Sequence, residues 1–468
     1  LNKKLHKPLK NHFQVHMLVT MIFILALVGF SWSGSLQGVQ EKSGSQESPL
    51  EKSTKAAIIR WICLKMDEIY VFPDVAKKMG EHIKANLDKG DYNGISDPRA
   101  FARQLRNDLV EISHDRHFNV TYAPEPSLRF QRQDPEEEKK RKEQRIRQWE
   151  YDNYYFKKVE RLEGNVGYLR FDGFVNTLYA GDTAVAALQF LKQCDAIIID
   201  LRYNGGGGAD MIQLICSYFF EERTHINSWY IRRLDRTDQS WTSTYVPGVK
   251  LLDADLYLLT SGRTFSAAEE FIYDLKNLGR ATLVGETTGG GGHTVTFERN
   301  DDLKIEFKIP NSRAINPISG DNWEAKGIQP DVECPAEEAL DRAYMLALEK
   351  IQEKTGPEGN KRQWLAWLKD YTEVKSAPVD VEAAVLENYA GAYGPARILF
   401  ENGRLWVVQP GRTEKEPLLA MTEDTFIIDG EPNFRIKFEK NERGEVIAAL
   451  VLFFDGSSDR VPKKNDPN

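Results

Sequence analysis

Ser266 stands in RTFSAAEEF, where an apolar run ends, a short turn follows and a helical pattern opens. A serine at a helix start is ordinarily an N-cap, its oxygen accepting a backbone N–H. The same place suits a nucleophile, because the helix dipole and the free N–H groups of the first turn stabilise a developing oxyanion. The N–H of Ala267 is well placed to donate. A second element is DLRYNGGGG, Asp200 to Gly208. Four glycines after a buried strand pattern let backbone come close to a ligand and present N–H groups to an anion. The run lacks the G-K-[ST] ending of a phosphate loop and does not fit G-x-G-x-x-G with its partner acid, so a nucleotide site is not favoured. Gly205 or Gly206 reads better as a second oxyanion donor, with Asn204 beside them.

A serine nucleophile needs a base. The chain has eight histidines, and His6, His12 and His16 fall in an N-terminal basic and apolar segment. His82 lies on a polar helix face. His114 and His117 occur in EISHDRHFNV, where a helical pattern gives way to a strand, and His293 ends the second glycine run, GETTGGGGH. A histidine beside such a loop is a better candidate than a lone one, so these three stay open on pattern alone. No His/Asp/Glu cluster has ligand spacing, so no metal is expected, and no cofactor. The four cysteines (Cys63, Cys194, Cys216, Cys334) include no C-x-x-C pair, which excludes a zinc ribbon or thioredoxin motif. They sit in or beside apolar runs and read as buried free thiols.

The elements that must carry these residues follow from periodicity. Residues 56–112 are helical in pattern, with Asp97–Pro98 as N-cap and first-turn proline. From 165 onward NVGYLRF, DAIIIDLR, DLYLLTS and ATLVGE read as strands that alternate with helices at TAVAALQFLKQC, ADMIQLICSYFF and SAAEEFIYDLKNLG, the last closed by Gly279. That alternation argues an α/β layer. VTFERNDDLKIEFKIP reads as a hairpin, and a helix closes the region near 354. Beyond 385, Asn402–Gly403 between two β-rich runs marks a hairpin in a small all-β domain. The expected divisions are a signal peptide at 1–35, a linker at 36–55, a helical domain at 56–128, a charged linker at 129–160, an α/β core at 161–355, a linker at 356–379 and a β domain at 380–465.

A length of 468 residues suggests about three domains. With 41% apolar and 28% charged residues, collagen, long disorder and a polytopic membrane protein are excluded. Lys3, Lys4, Lys7 and Lys10 precede an uncharged run from Met17 to Trp32 and then SGS, the pattern of a secretory signal. An uncleaved N-terminal anchor is the competing reading. The expectation is therefore an exported protein, periplasmic or extracellular, without a stable membrane partner unless the signal is retained. Cleavage would move the net charge from −8 to −12, since residues 1–35 hold four lysines and no acid. Either value argues against a nucleic-acid partner.

In order, YLRFDGF, DLRYNGGG, TSGRTFSAAEEF, LVGETTGGGGH and NWEAKGIQPDV resemble the C-terminal-processing (tail-specific) serine peptidase family, in the branch of the tricorn core protease and interphotoreceptor retinoid-binding protein. The resemblance spans roughly 56–354. It implies a crotonase/ClpP-like α/β core flanked by a helical N-terminal domain and a small C-terminal β domain. It implies Ser266 as nucleophile, His117 as base, Glu324 in NWEAKG as the downstream glutamate, and Gly205 or Gly206 with Ala267 as oxyanion donors. The loop TTGGGGH has no lysine, so the Ser–Lys dyad of the other branch is disfavoured. The branch's serine before the histidine is Arg116 here, which leaves the fourth member of its tetrad unassigned. Lys326 lies near enough to offer Glu324 a salt bridge. The implied activity is an exported serine endopeptidase or carboxyl-terminal-processing peptidase acting on a peptide or unfolded protein. The alternatives on the same fold are a retinoid-binding-like carrier of apolar ligands and an esterase.

Overall fold

The computed structural model describes residues 50–115, 117–131, 134–356 and 359–464. The expected signal peptide, most of the 36–55 linker and Arg116 lie outside the described residues. Three helices open the described chain: α1 (Lys52–Ile69), α2 (Pro73–Lys89) and α3 (Pro98–Ser113). The Asp97 carboxylate caps α3, accepting from the N–H groups of Arg99 (3.2 Å) and Ala100 (2.9 Å), with Pro98 in the first turn as the sequence predicts. The helix stops at His114, which takes the left-handed conformation at φ 57°. Ile58, Ile62, Met66 and Ile69 recur at helical spacing on α1 and are buried with Ile83, Leu105 and Leu109. After β1 (Asn119–Tyr122) comes α4 (Pro135–Tyr151), which buries no residue and keeps its dense charges in solvent.

The core then runs β2 (Phe156–Leu162), β3 (Val166–Phe171), α5 (Thr177–Phe190), β4 (Ala196–Asp200), α6 (Ala209–Cys216), β5 (His225–Ile231), β6 (Arg236–Trp241), β7 (Asp255–Thr260), α7 (Ala267–Asn277), β8 (Ala281–Gly285), β9 (His293–Asn300), β10 (Ile305–Ile315), β11 (Val332–Glu333) and α8 (Ala339–Lys354). Six described strands form one sheet in the order β11-β8-β7-β4-β3-β2, parallel except for β2. Alternate strand residues face opposite sides. Ile197, Ile199 and Leu258 pack with α5, α6 and α7, while Ile198, Tyr257 and Leu259 pack under α8. Both faces are covered, which is why β4 reads as an unbroken apolar run.

A second sheet, in the order β1-β10-β5-β6 with β9 also on β10, ties the helical region to the core. Strand β1 pairs with residues 305–308 of β10, and Phe118 and Phe307 stack at 5.8 Å beneath α1. The hairpin expected at 294–309 is β9–β10. The β5–β6 hairpin has no counterpart in the sequence analysis.

Two of the expected linkers need correction. Residues 356–379 hold a further helix, α9 (Asn360–Ser376), rather than a linker. Leu365 and Leu368 of α9 are buried against α8 and the parallel sheet. Truncating either would cost about 2–5 kcal/mol, more than a linker residue could. Trp367 and Asp370 on the same helix engage Arg435 of the β domain. The 129–160 segment likewise contains α4 and the first residues of β2, which joins the core sheet. Beyond α10 (Ala383–Tyr389), eight strands from β12 (Gly391–Tyr393) to β19 (Ser458–Lys464) close into a barrel. Asn402 and Gly403 both have positive φ in its hairpin turn, as their sequence predicts. All four cysteines are free, three of them buried. No helix of the described residues is long and apolar enough to cross a membrane.

Candidate active site

Strands β4, β7 and β8 end side by side at the carboxyl edge of the parallel sheet, and each feeds one loop singled out in the sequence. This is where open α/β sheets place their ligands. The loops after β4 and β7 are laced together. Thr264 Oγ1 donates to Leu201 O (2.9 Å), Ser261 Oγ to Arg202 O (2.5 Å) and Phe265 N to Asn204 O (3.1 Å). Buried Asn204 anchors the glycine run, donating through Nδ2 to Phe171 O (2.9 Å) and accepting the Gly206 N–H at Oδ1 (2.9 Å). Of the two glycines proposed as oxyanion donors, Gly206 thus spends its N–H internally.

Ser266 caps α7 with φ 58° and ψ −124°, a backbone state that non-glycine residues rarely adopt. Gly206 lies directly against it. A Cβ on Gly206, whose φ is 98°, would fall 2.8 Å from Ala267 N and from Phe265 O, and 2.9 Å from Ser266 Cβ. Only glycine permits that approach. Glu269, fully buried one turn into α7, accepts four hydrogen bonds: Ser266 N (2.9 Å), Thr288 Oγ1 (2.6 Å), Gly290 N (2.7 Å) and Gly291 N (2.8 Å). One carboxylate therefore pins the strained serine turn to the second glycine loop. Glu269 is absent from the residues expected at the site, although S-x-x-E at a helix start is the capping-box signal that marks it.

The second glycine loop continues to the histidines. Glu324 Oε2 accepts the N–H groups of Gly292 (2.8 Å) and His293 (2.9 Å), and Glu324 Oε1 lies 3.0 Å from His117 Nδ1. Glu324 is itself placed by a turn in which its N–H donates to Asn322 Oδ1 (2.9 Å), beside the buried ring of Trp323. Lys326 pairs with Asp321 and not with Glu324. Asp115, almost fully buried, completes the cluster: Oδ1 is 3.1 Å from His117 Nδ1 and Oδ2 is 3.1 Å from His293 Nδ1. Strand β10 explains the meeting, because it holds β1, two residues after His117, along one side and β9, which starts at His293, along the other.

Hydrogen bonding to Asp115 and then to Glu324 pushes the His117 pKa up to about 9, against the opposing effect of burial. Burial works against charge on Asp115, but its bonds to His117 and His293 hold that carboxyl well below the usual range. With Nδ1 held by two carboxylates, His117 Nε2 is the nitrogen left to exchange a proton.

The structure thus forms two groups joined by the 287–293 loop: Ser266, Ala267, Gly206 and Glu269 on one side, and Asp115, His117, Glu324 and His293 on the other. No hydrogen bond joins Ser266 to an imidazole among the described residues. Apo sites commonly hold such bonds long. His114 stays outside both groups as the residue that ends α3. His82 bonds Asn86, and His225 stacks on Trp241, so both are structural. The expectation of no ligand cluster also needs correction. Asp115, His117, His293 and Glu324 bring one ligating atom each to within 4.8 Å of one another. They come from segments far apart in the chain, where spacing rules do not reach.

Residues 165–334 match the model of peptidase family S41, and residues 52–157 match the N-terminal domain of peptidase S41 in eukaryotic IRBP. A carboxyl-terminal-processing protease of Synechocystis sp. is 32% identical over 178 residues, covering 36% of this chain and 37% of that protein. Another, from Picosynechococcus sp., is 28% identical over 194 residues, covering 40% of this chain and 43% of that protein. The chain thus spans less than half the length of these relatives. The solved photosystem II D1 C-terminal processing protease aligns over 60% of this chain and 93% of its own, with 15% identity and a TM-score of 0.42.

Proposed function

We propose that this chain, which belongs to peptidase family S41, is an exported serine peptidase that cleaves peptides or unfolded proteins through an acyl-enzyme on Ser266. His117 Nε2 takes the serine proton as Oγ attacks the carbonyl. The tetrahedral oxyanion is held by the N–H groups of Ala267 and Gly205, since Gly206 donates to Asn204. His117 then protonates the leaving amine, and water repeats the sequence on the acyl-enzyme. Asp115 and Glu324 are positioning residues that fix the ring through Nδ1. Asp115 fills the role of the unassigned tetrad member.

The observation that carries this reading is the His117 Nδ1 held between two carboxylates, beside a loop that shares its anchoring with the strained Ser266 turn. That is an oriented base and a nucleophile at a helix start, the pairing that activates a serine. Export rests on the basic, apolar and small-residue pattern of 1–35. The test is labelling by a fluorophosphonate together with cleavage of denatured casein. Ser266→Ala abolishes both, and His117→Ala lowers both by at least 10³-fold. Undiminished cleavage in either variant would refute the assignment.

A further inference from the structure

We propose that Asp115, His117, His293 and Glu324 form a binding site for one divalent cation of the zinc type, and that its occupancy switches the peptidase off. The first half stands on geometry. Each carboxylate reaches both rings through separate oxygens, at 3.1 Å (His117 Nδ1–Asp115 Oδ1), 3.0 Å (His117 Nδ1–Glu324 Oε1), 3.1 Å (His293 Nδ1–Asp115 Oδ2) and 3.7 Å (His293 Nδ1–Glu324 Oε2), and one ligand atom from each residue lies within 4.8 Å of the others. A tetrahedron with zinc–ligand bonds of about 2.0–2.1 Å has edges of about 3.3 Å, so the four groups, already within 4.8 Å of one another, would close onto one ion as they bind it.

The donor set has the right chemistry. Imidazole nitrogen with carboxylate oxygen suits zinc and its neighbours in the Irving–Williams order. With both imidazoles neutral the cluster carries two negative charges, which a divalent cation cancels. His293 sharpens the assignment. Its side chain is only 3% exposed, and among the described residues its Nε2 has no hydrogen-bond partner. Among the described residues its side-chain polar contacts are with Asp115 and Glu324. The proposed catalytic chemistry gives this second histidine no task, whereas metal ligation does.

The switch, which rests on the peptidase reading, follows from where the proton goes. A cation on His117 Nδ1 displaces the proton shared there with the carboxylates. The neutral ring then carries its one N–H at Nε2. That nitrogen has no lone pair to accept the Ser266 proton, so acylation stops until the cation leaves.

The experiment titrates Zn²⁺ calorimetrically into chelator-treated full chain, and into Ser266→Ala, which keeps every ligand. One zinc per chain is expected in both, and Co²⁺ in its place should show the intense visible bands of a four-coordinate site. His293→Gln and Asp115→Asn, each checked for a native unfolding transition, should weaken binding more than about 100-fold. Fluorophosphonate labelling of the wild type should be lost with stoichiometric zinc and restored by EDTA. Absent stoichiometric binding, or binding untouched by His293→Gln, overturns the site. Binding that leaves labelling intact overturns the switch. A chelated wild type that never labels refutes the peptidase reading instead, while the calorimetry still decides the site.

Discussion

Glu324→Gln should move the pH profile of Ser266 reactivity toward acid. In the wild type the His117 pKa lies at about 9 against an ordinary 6.5. That difference corresponds to about 3 kcal/mol in favour of the imidazolium. At pH 7 only about one molecule in a hundred then holds the neutral ring that can act as base, against about half at pH 9. The rate of fluorophosphonate labelling in EDTA should therefore rise about 50-fold from pH 7 to pH 9. Asp115 is the larger cause of the raised value and Glu324 the next. Replacing Glu324 by glutamine removes the second and keeps the first, so the midpoint should fall by about one pH unit. The plateau should also drop, by about 10- to 100-fold, since Asp115 alone must then orient the ring. A wild-type profile flat between pH 7 and pH 9, or a midpoint unmoved in Glu324→Gln, would refute the reasoning.

The same pKa sets a stability trend. The folded-state value of His117 is raised, so its contribution is fully present below pH 6.5 and lost as pH rises through about 9. Urea unfolding should show a decline of up to about 3 kcal/mol across that window, absent from His117→Gln. Gly206→Ala should reduce labelling more than about 100-fold, because its Cβ would press on Ala267 N, Phe265 O and Ser266 Cβ. Glu269→Gln should lower unfolding free energy by about 3 kcal/mol, since both carboxylate oxygens accept two donors each and an amide nitrogen would face two of them. Thermal or urea denaturation measures it, and a loss below about 1 kcal/mol would contradict the role given to Glu269.

The parts of this fold that were legible in the sequence are those encoded locally. Strand, turn, serine and helix follow one another in TSGRTFSAAEEF, so period and punctuation suffice to place Ser266 at a helix start. The central parallel strands are equally plain in DAIIIDLR and DLYLLTS, because burial on both faces leaves them largely apolar. The base side is different. Asp115 and His293 are 178 residues apart and meet only because β10 carries β1 and β9 on its two edges. No local pattern announces that, so spacing leaves His114, His117 and His293 unseparated and does not single out Asp115. Helix α9 escaped for another reason. Its buried stripe is narrow, Leu365 and Leu368 with Thr372, amid seventeen otherwise largely polar residues flanked by Gly, Pro and Ser.

The proposed base and nucleophile reach the site on different stretches of chain, joined by the segment between β1 and α4, of whose described residues none is buried. A single nick there would leave two fragments, each holding half of the chemistry. They would be held together by the ladder of Asn119–Tyr122 on Ile305–Lys308, by the packing of α1–α3 on Ile305, Phe307 and Ile309, and by the bonds of Asp115 to His293 and of His117 to Glu324. The proposed activity becomes a coincidence detector for the docking of those fragments, and reconstitution of the two in trans should follow the strength of that whole interface.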